Sequence, residues 1–224
     1  MWKSIFDFSF DIYYISLVLN IFLFSGAVFL RKYLFAPILF YLITGLLTEH
    51  ITILILNNDL LFFGQQTNAP VKVIYDLIQF LTISYFFKRS LNYQWLNKWY
   101  VLLMVLLILI AIAPYLLTPS DIAFHNPWIS FITIPVLLFL STLYFLQLLR
   151  QKKGYAYINI GLFLILGSSM VRDSTSPFYE GVPMEIYRMK GFLLLIPLIM
   201  MQFLFTYECF LFFKSRKEFS IKSQ

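Results

Sequence analysis

Glu49 and His50, adjacent inside one apolar run, and Asp76, inside the next, are the residues whose types and positions could do chemistry in this chain. A carboxylate and an imidazole can exchange a proton or hold a cation. Both are costly in hydrocarbon, where a charge near a helix centre costs roughly 2.5 to 3.5 kcal/mol on insertion scales. Such groups turn inward and pair. At 1.5 Å per helical residue, Glu49 and His50 lie roughly 10 Å below the outer end of their helix, and Asp76 lies roughly 8 Å below the outer end of its own. Asn20 and Gln79 add amides near this depth, with Ser16 a turn above Asn20. Arg172, Asp173 and Arg188 stand just above. The expectation is a ligand-binding pocket open to the outer face, floored by Asn20, Glu49, His50, Asp76 and Gln79 and covered by segment 172–190. The alternative is a hydrogen-bonded network that only orients helices, with Arg172 or Arg188 neutralising Glu49 or Asp76.

Positioning these groups requires long helices. With 60% hydrophobic and 12% charged residues, the 224-residue chain departs from soluble proteins, which are roughly a quarter charged. A hydrocarbon core about 30 Å thick needs roughly 20 apolar residues per helix. Seven stretches qualify, at about 12–30, 34–56, 71–87, 99–117, 128–149, 155–171 and 191–213. The predicted fold is an all-α, seven-helix transmembrane bundle forming one domain over 1–224. Pro135 and Pro197, in the outer halves of helices 5 and 7, break the backbone ladder and could open space at the level of the pocket.

Charge gives the orientation. Of the 17 lysines and arginines, twelve fall in connections 1–2, 3–4 and 5–6 and the C-terminal tail, and five on the other side. Most acids lie with the five. This positive-inside bias predicts the N-terminus outside and the C-terminus in the cytoplasm, in a multi-pass protein of the cell inner membrane. Trp95, Trp99 and Trp128 sit near helix ends as an interfacial belt would. The run Ser25-Gly26-Ala27 lies inside the first apolar segment, which continues past it, so it reads as a helix-packing notch and not as a cleavage site.

Several functions are excluded by composition. The basic residues hug helix ends, which speaks for membrane anchoring and against nucleic acid. One cysteine, Cys209, cannot form an internal disulfide or a multi-thiolate metal site. Helix 7 has no lysine for a retinal Schiff base. Two histidines, His50 and His125, are too few for a three-histidine zinc site, so no metal or other cofactor is expected. Ser168 and Ser169 have no partner base, and no nucleotide-binding or zinc-protease motif occurs. Glu208, near the inner end of helix 7, is expected to snorkel toward Lys214 and Arg216.

Short segments carry a resemblance: Leu47-Thr48-Glu49 in helix 2, Asn68 before Val73-Ile74-Tyr75-Asp76-Leu77-Ile78-Gln79-Phe80 in helix 3, Ser141-Thr142-Leu143-Tyr144 in helix 5, and Tyr157-Ile158-Asn159-Ile160-Gly161 in helix 6. The chain resembles a group of small seven-helix membrane proteins frequent in Bacteroidota. The resemblance implies the fold and carries no chemistry. It also has departures, since members often hold a histidine in helix 7 and this chain holds none there. Three functions remain open. The first is non-enzymatic binding or sensing of a small molecule or lipid, which needs a partner protein in the membrane or cytoplasm to relay a signal. The second is transport of a small solute with Glu49, His50 and Asp76 as a relay. The third is an enzyme acting on lipid. The bilayer itself is the one certain partner on this reading.

Overall fold

A computed structural model describes residues 2–30, 32–58, 61, 67–91, 93–118, 128–151, 154–175 and 184–222. The described residues form seven α-helices, one short 3-10 turn at Tyr33–Phe35, and no strand. The helices are α1 (Trp2–Phe29), α2 (Ala36–Asn57), α3 (Ala69–Leu91), α4 (Gln94–Leu117), α5 (Trp128–Gln151), α6 (Ala156–Thr175) and α7 (Met184–Lys222). Among the described residues, five segments are long and apolar enough to cross a membrane: Ser4–Phe29, Tyr33–Ile55, Gln94–Leu117, Trp128–Arg150 and Leu195–Arg216. Those that fall short lie in α3 and α6, the helices that carry Lys72, Asp76, Lys88, Arg89, Arg172 and Asp173.

Several boundaries move from the sequence-based expectation. α1 starts ten residues before residue 12, because Asp7 and Asp11 interrupt the apolar run without interrupting the helix. α6 continues to Thr175 and α7 begins at Met184, so a cover loop spanning 172–190 is not what forms. Arg172 and Asp173 are helical. Pro177, Gly181 and Pro183 fall in 176–183, outside the described residues, as do the loop residue His125 and the side chain of Arg188.

Packing follows a ring. α1 packs on α2, α2 on α3, α3 on α5, α5 on α6, α6 on α7, and α7 closes onto α1. α4 stands outside it, resting more lightly on α3 and α5. Its exposed face is aliphatic: Val101, Leu102, Val105, Leu106 and Leu109 are all turned out. An apolar surface of this kind suits hydrocarbon and is foreign to a water-soluble monomer.

The half of the ring that holds the α1–α2 turn is packed solid with rings. Phe24, Phe35, Phe86, Phe87 and Phe205 are fully buried. Phe35 stands 5.1 Å from Phe24, 5.0 Å from Tyr155 and 5.7 Å from Phe212, centroid to centroid. Tilted and edge-on ring pairs at these distances contribute beyond area burial. Polar groups here are consumed locally. Ser141 donates to the Asn159 Oδ1 at 2.8 Å, while the Asn159 amide returns to the Ser141 carbonyl. The Gly26 notch receives Phe213, whose ring edge would lie 3.7 Å from an added Cβ.

A buried acid has a different role from the one its position suggests. Glu208 does not reach out to Lys214 or Arg216. It is buried, and its Oε2 accepts the Tyr157 N–H at 3.0 Å. It thereby caps the start of α6 from a neighbouring helix, satisfying a donor that has no partner within its own helix and complementing the helix dipole. Arg216 instead donates to the Leu30 carbonyl at 3.0 Å. The α5–α6 turn needs Gly154, whose φ of +150° disfavours a side chain, and there the Tyr144 hydroxyl accepts the Tyr155 N–H at 2.9 Å.

Candidate functional site

At the opposite end from the aromatic packing, the ring holds a cavity of about 260 Å³. All six ring helices line it and α4 does not. α2 contributes Tyr41, Gly45, Thr48, Glu49 and Thr52, at spacings of three and four residues that keep them on one face. α3 contributes Lys72, Tyr75, Asp76 and Gln79 by the same rule, with Asn68 just before it. α5 adds Ser130 and Thr133, α6 adds Ser169 and Arg172, α1 adds Tyr13, and Leu198 of α7 closes the wall. Ile134, beside Pro135, and Leu198, beside Pro197, both face the cavity, so the two prolines sit at its level.

Charge in this cavity is layered. Nearest the helix ends, Asp173 is almost fully buried and gathers two cations. Arg172 Nε donates to its Oδ1 at 2.7 Å, the guanidinium's second nitrogen reaches Oδ2 at 3.3 Å, and Lys72 Nζ lies 3.5 Å from Oδ1. Burial works against this carboxylate, but the Arg172 hydrogen bond and the charges of Arg172 and Lys72 outweigh it and hold the Asp173 carboxyl below its usual range. One turn deeper on α3, Asp76 takes a hydrogen bond from Ser130 at 3.4 Å and lies in the field of the same two cations. Lys72 and Asp76 are four apart, the spacing at which helix side chains meet.

Of the residues singled out from sequence, Glu49, Asp76, Gln79 and Arg172 line this one cavity, and Asp173 anchors Arg172 behind it. Asn20 and His50 do not belong to its floor. Asn20 is fully buried against α7. Its amide donates to the Gln202 carbonyl at 2.8 Å and to Gln202 Oε1 at 2.7 Å, and its Oδ1 accepts from Thr206 at 3.0 Å. It pins α1 to α7. His50 is exposed on the outside of the ring, with Nδ1 on the Leu46 carbonyl at 2.9 Å and Nε2 on the Tyr14 hydroxyl at 3.1 Å. Adjacent helix residues point about 100° apart, so α2 can aim Glu49 or His50 inward, not both.

Lys72, the three tyrosines Tyr13, Tyr41 and Tyr75, and the hydroxyls Thr48, Thr52, Ser130 and Thr133 also line the cavity and are not among the residues expected there from sequence. For all but Tyr13, which lines the cavity alone on α1, the signal was present: each stands three or four residues, or a multiple of them, from another lining residue on its helix. No group of histidine, cysteine and carboxylate side chains suited to a metal occurs among the described residues.

Fold and site together define a helical bundle of membrane-spanning character with a mixed-charge cavity at one end. Comparison of the chain with protein-family models, with curated proteins and with solved structures finds no match.

Proposed function

We propose that this is a multi-pass membrane protein whose seven helices all cross the inner membrane, N-terminus outside, and which binds a small molecule or lipid headgroup in the six-helix cavity without transforming it. The observation that carries this is the asymmetry of the bundle interior. Charged and hydroxyl side chains from five helices converge on a cavity at one end, while fully buried phenylalanines fill the other. At about 260 Å³ the space lies below the roughly 300–1,000 Å³ of drug-sized ligand sites, which fits a small occupant. The packed half speaks against a route through the bundle, and so against transport. Among the described residues the cavity's hydroxyl–carboxylate contact, Ser130 on Asp76, is long at 3.4 Å and reads as a link between α5 and α3, not as a poised nucleophile and base, which speaks against an enzyme. Signalling would pass through a partner protein.

The test is mass spectrometry of small molecules that co-purify with the detergent-extracted protein, comparing the natural chain with a Glu49→Gln, Asp76→Asn double variant. A species retained by the first and lost from the second, at equal yield of folded protein, supports the reading. If the two preparations carry the same molecules, or none, binding in this cavity is wrong.

A further inference from the structure

Among the described residues the cavity's charges do not cancel, and the remainder points to the chemistry of an occupant. Lys72 and Arg172 are matched by Asp173 and Asp76, through the 2.7 Å and 3.5 Å ion pairs and the field at Asp76. That leaves Glu49. Among the described residues it makes no hydrogen bond or ion pair. Its neighbour His50 is aimed outward, with the Leu46 carbonyl on one ring nitrogen and the Tyr14 hydroxyl on the other. An ionised carboxylate at this depth without a counter-ion is costly. Aromatic rings line the same cavity: Tyr13 lies in the electrostatic field of Glu49, and Tyr41 and Tyr75, whose ring centroids are 6.3 Å apart, lie toward Asp76. A carboxylate among tyrosine rings is the chemistry that recognises an organic ammonium, by charge and by cation–π attraction.

Building on the binding role proposed above, we infer that the cavity takes the ammonium group of an amine, with Glu49 as its counter-ion and Tyr13, Tyr41 and Tyr75 as the surrounding wall. A free amine and an amine-bearing lipid headgroup both carry this group; the chemistry is shared.

Calorimetry on the full chain in phosphatidylglycerol nanodiscs tests this with choline, ethanolamine and 3,3-dimethyl-1-butanol, the uncharged isostere of choline. Saturable binding of choline or ethanolamine and none of the isostere is expected. Glu49→Gln should weaken binding at least tenfold, and Glu49→Asp, which keeps the charge, should retain it even where Glu49→Gln lowers the melting temperature. Tyr75→Phe should bind and Tyr75→Leu should bind several-fold worse. Adding phosphatidylethanolamine to the disc separates the sources: competition with choline assigns a headgroup, and no competition a free amine. Failure of both amines, equal binding of the isostere, displacement of the amines by equimolar sodium, or unchanged binding by Glu49→Gln each overturns the inference. A co-purifying ligand that is neutral or anionic yet needs Glu49 and Asp76 would overturn it while leaving the binding role intact.

Discussion

Asp173 gives the clearest residue-scale consequence. Its carboxyl is held below the ordinary value of 3.8, so the folded state gains from its ionisation. That stability is fully present above about pH 3.8 and is lost as pH falls through the lower folded-state value. Asp173→Asn should cost about 1–3 kcal/mol at pH 7, less than for fully buried pairs because Lys72 and Arg172 are 23% and 35% exposed. In thermal melts, the gap between variant and natural chain should close as pH drops below 3.8; a gap independent of pH would show that the pairing does not matter. Glu208→Ala should lose about 1 kcal/mol, and Glu208→Gln, which keeps an acceptor for the Tyr157 N–H, less. The sequence gives Glu208's depth on its own helix but not which helix start lies beside it, so its capping role is invisible there. Asp76 and Glu49 were legible because a carboxylate inside an apolar run announces itself. Lys72, at a helix end among other basic residues, reads as an ordinary anchoring charge until α6 is placed next to it.

At the scale of elements, the α1–α7 and α6–α7 seams are set by a few side chains. Asn20→Leu removes the side-chain partner of Gln202 and one of the two acceptors of the Thr206 hydroxyl, and should cost about 1–2 kcal/mol in unfolding titrations. Because Asn20 lies off the cavity, the variant should keep its co-purifying ligand; loss of that ligand would place Asn20 in the site after all. On the other seam, an added Cβ at Gly161 would lie 3.0 Å from Phe205 and 3.2 Å from Met201. Gly161→Leu should therefore destabilise by about 1–3 kcal/mol, readable as a lower melting temperature. The helices were legible because apolar runs of 17 or more residues have few alternatives. Their ends were not. Asp7 and Asp11 look like loop residues, yet a helix emerging from a bilayer can carry them on turns that water covers. α7 likewise starts right after Pro183, a residue that reads equally as a loop breaker or as the step before a helix.

For the whole molecule, the positive-inside asymmetry makes a prediction about orientation. A reporter fused after Gln224 should be active only in the cytoplasm, and a cysteine introduced at Asn58, at the end of α2, should react with a membrane-impermeant thiol reagent added from outside. The opposite labelling would invert the bundle and turn the cavity toward the cytoplasm. The sequence carried the number of helices and the end at which polar groups gather. It could not carry the order of helices around the ring, since apolar faces suit lipid and protein neighbours alike. Only the ring order separates Glu49 from His50, and only it shows that five helices besides α2 share the cavity.

That order makes one helix unlike the rest. α3 and α5 are neighbours in the ring and present the same ends to the cavity, so the chain must return across the bundle between them, and α4 is that return stroke. Its duty is length and greasiness, not identity. Swapping its outward aliphatic residues among themselves should leave binding and folding alone, whereas, on the proposed multi-pass topology, deleting it would send α5, α6 and α7 through the bilayer upside down.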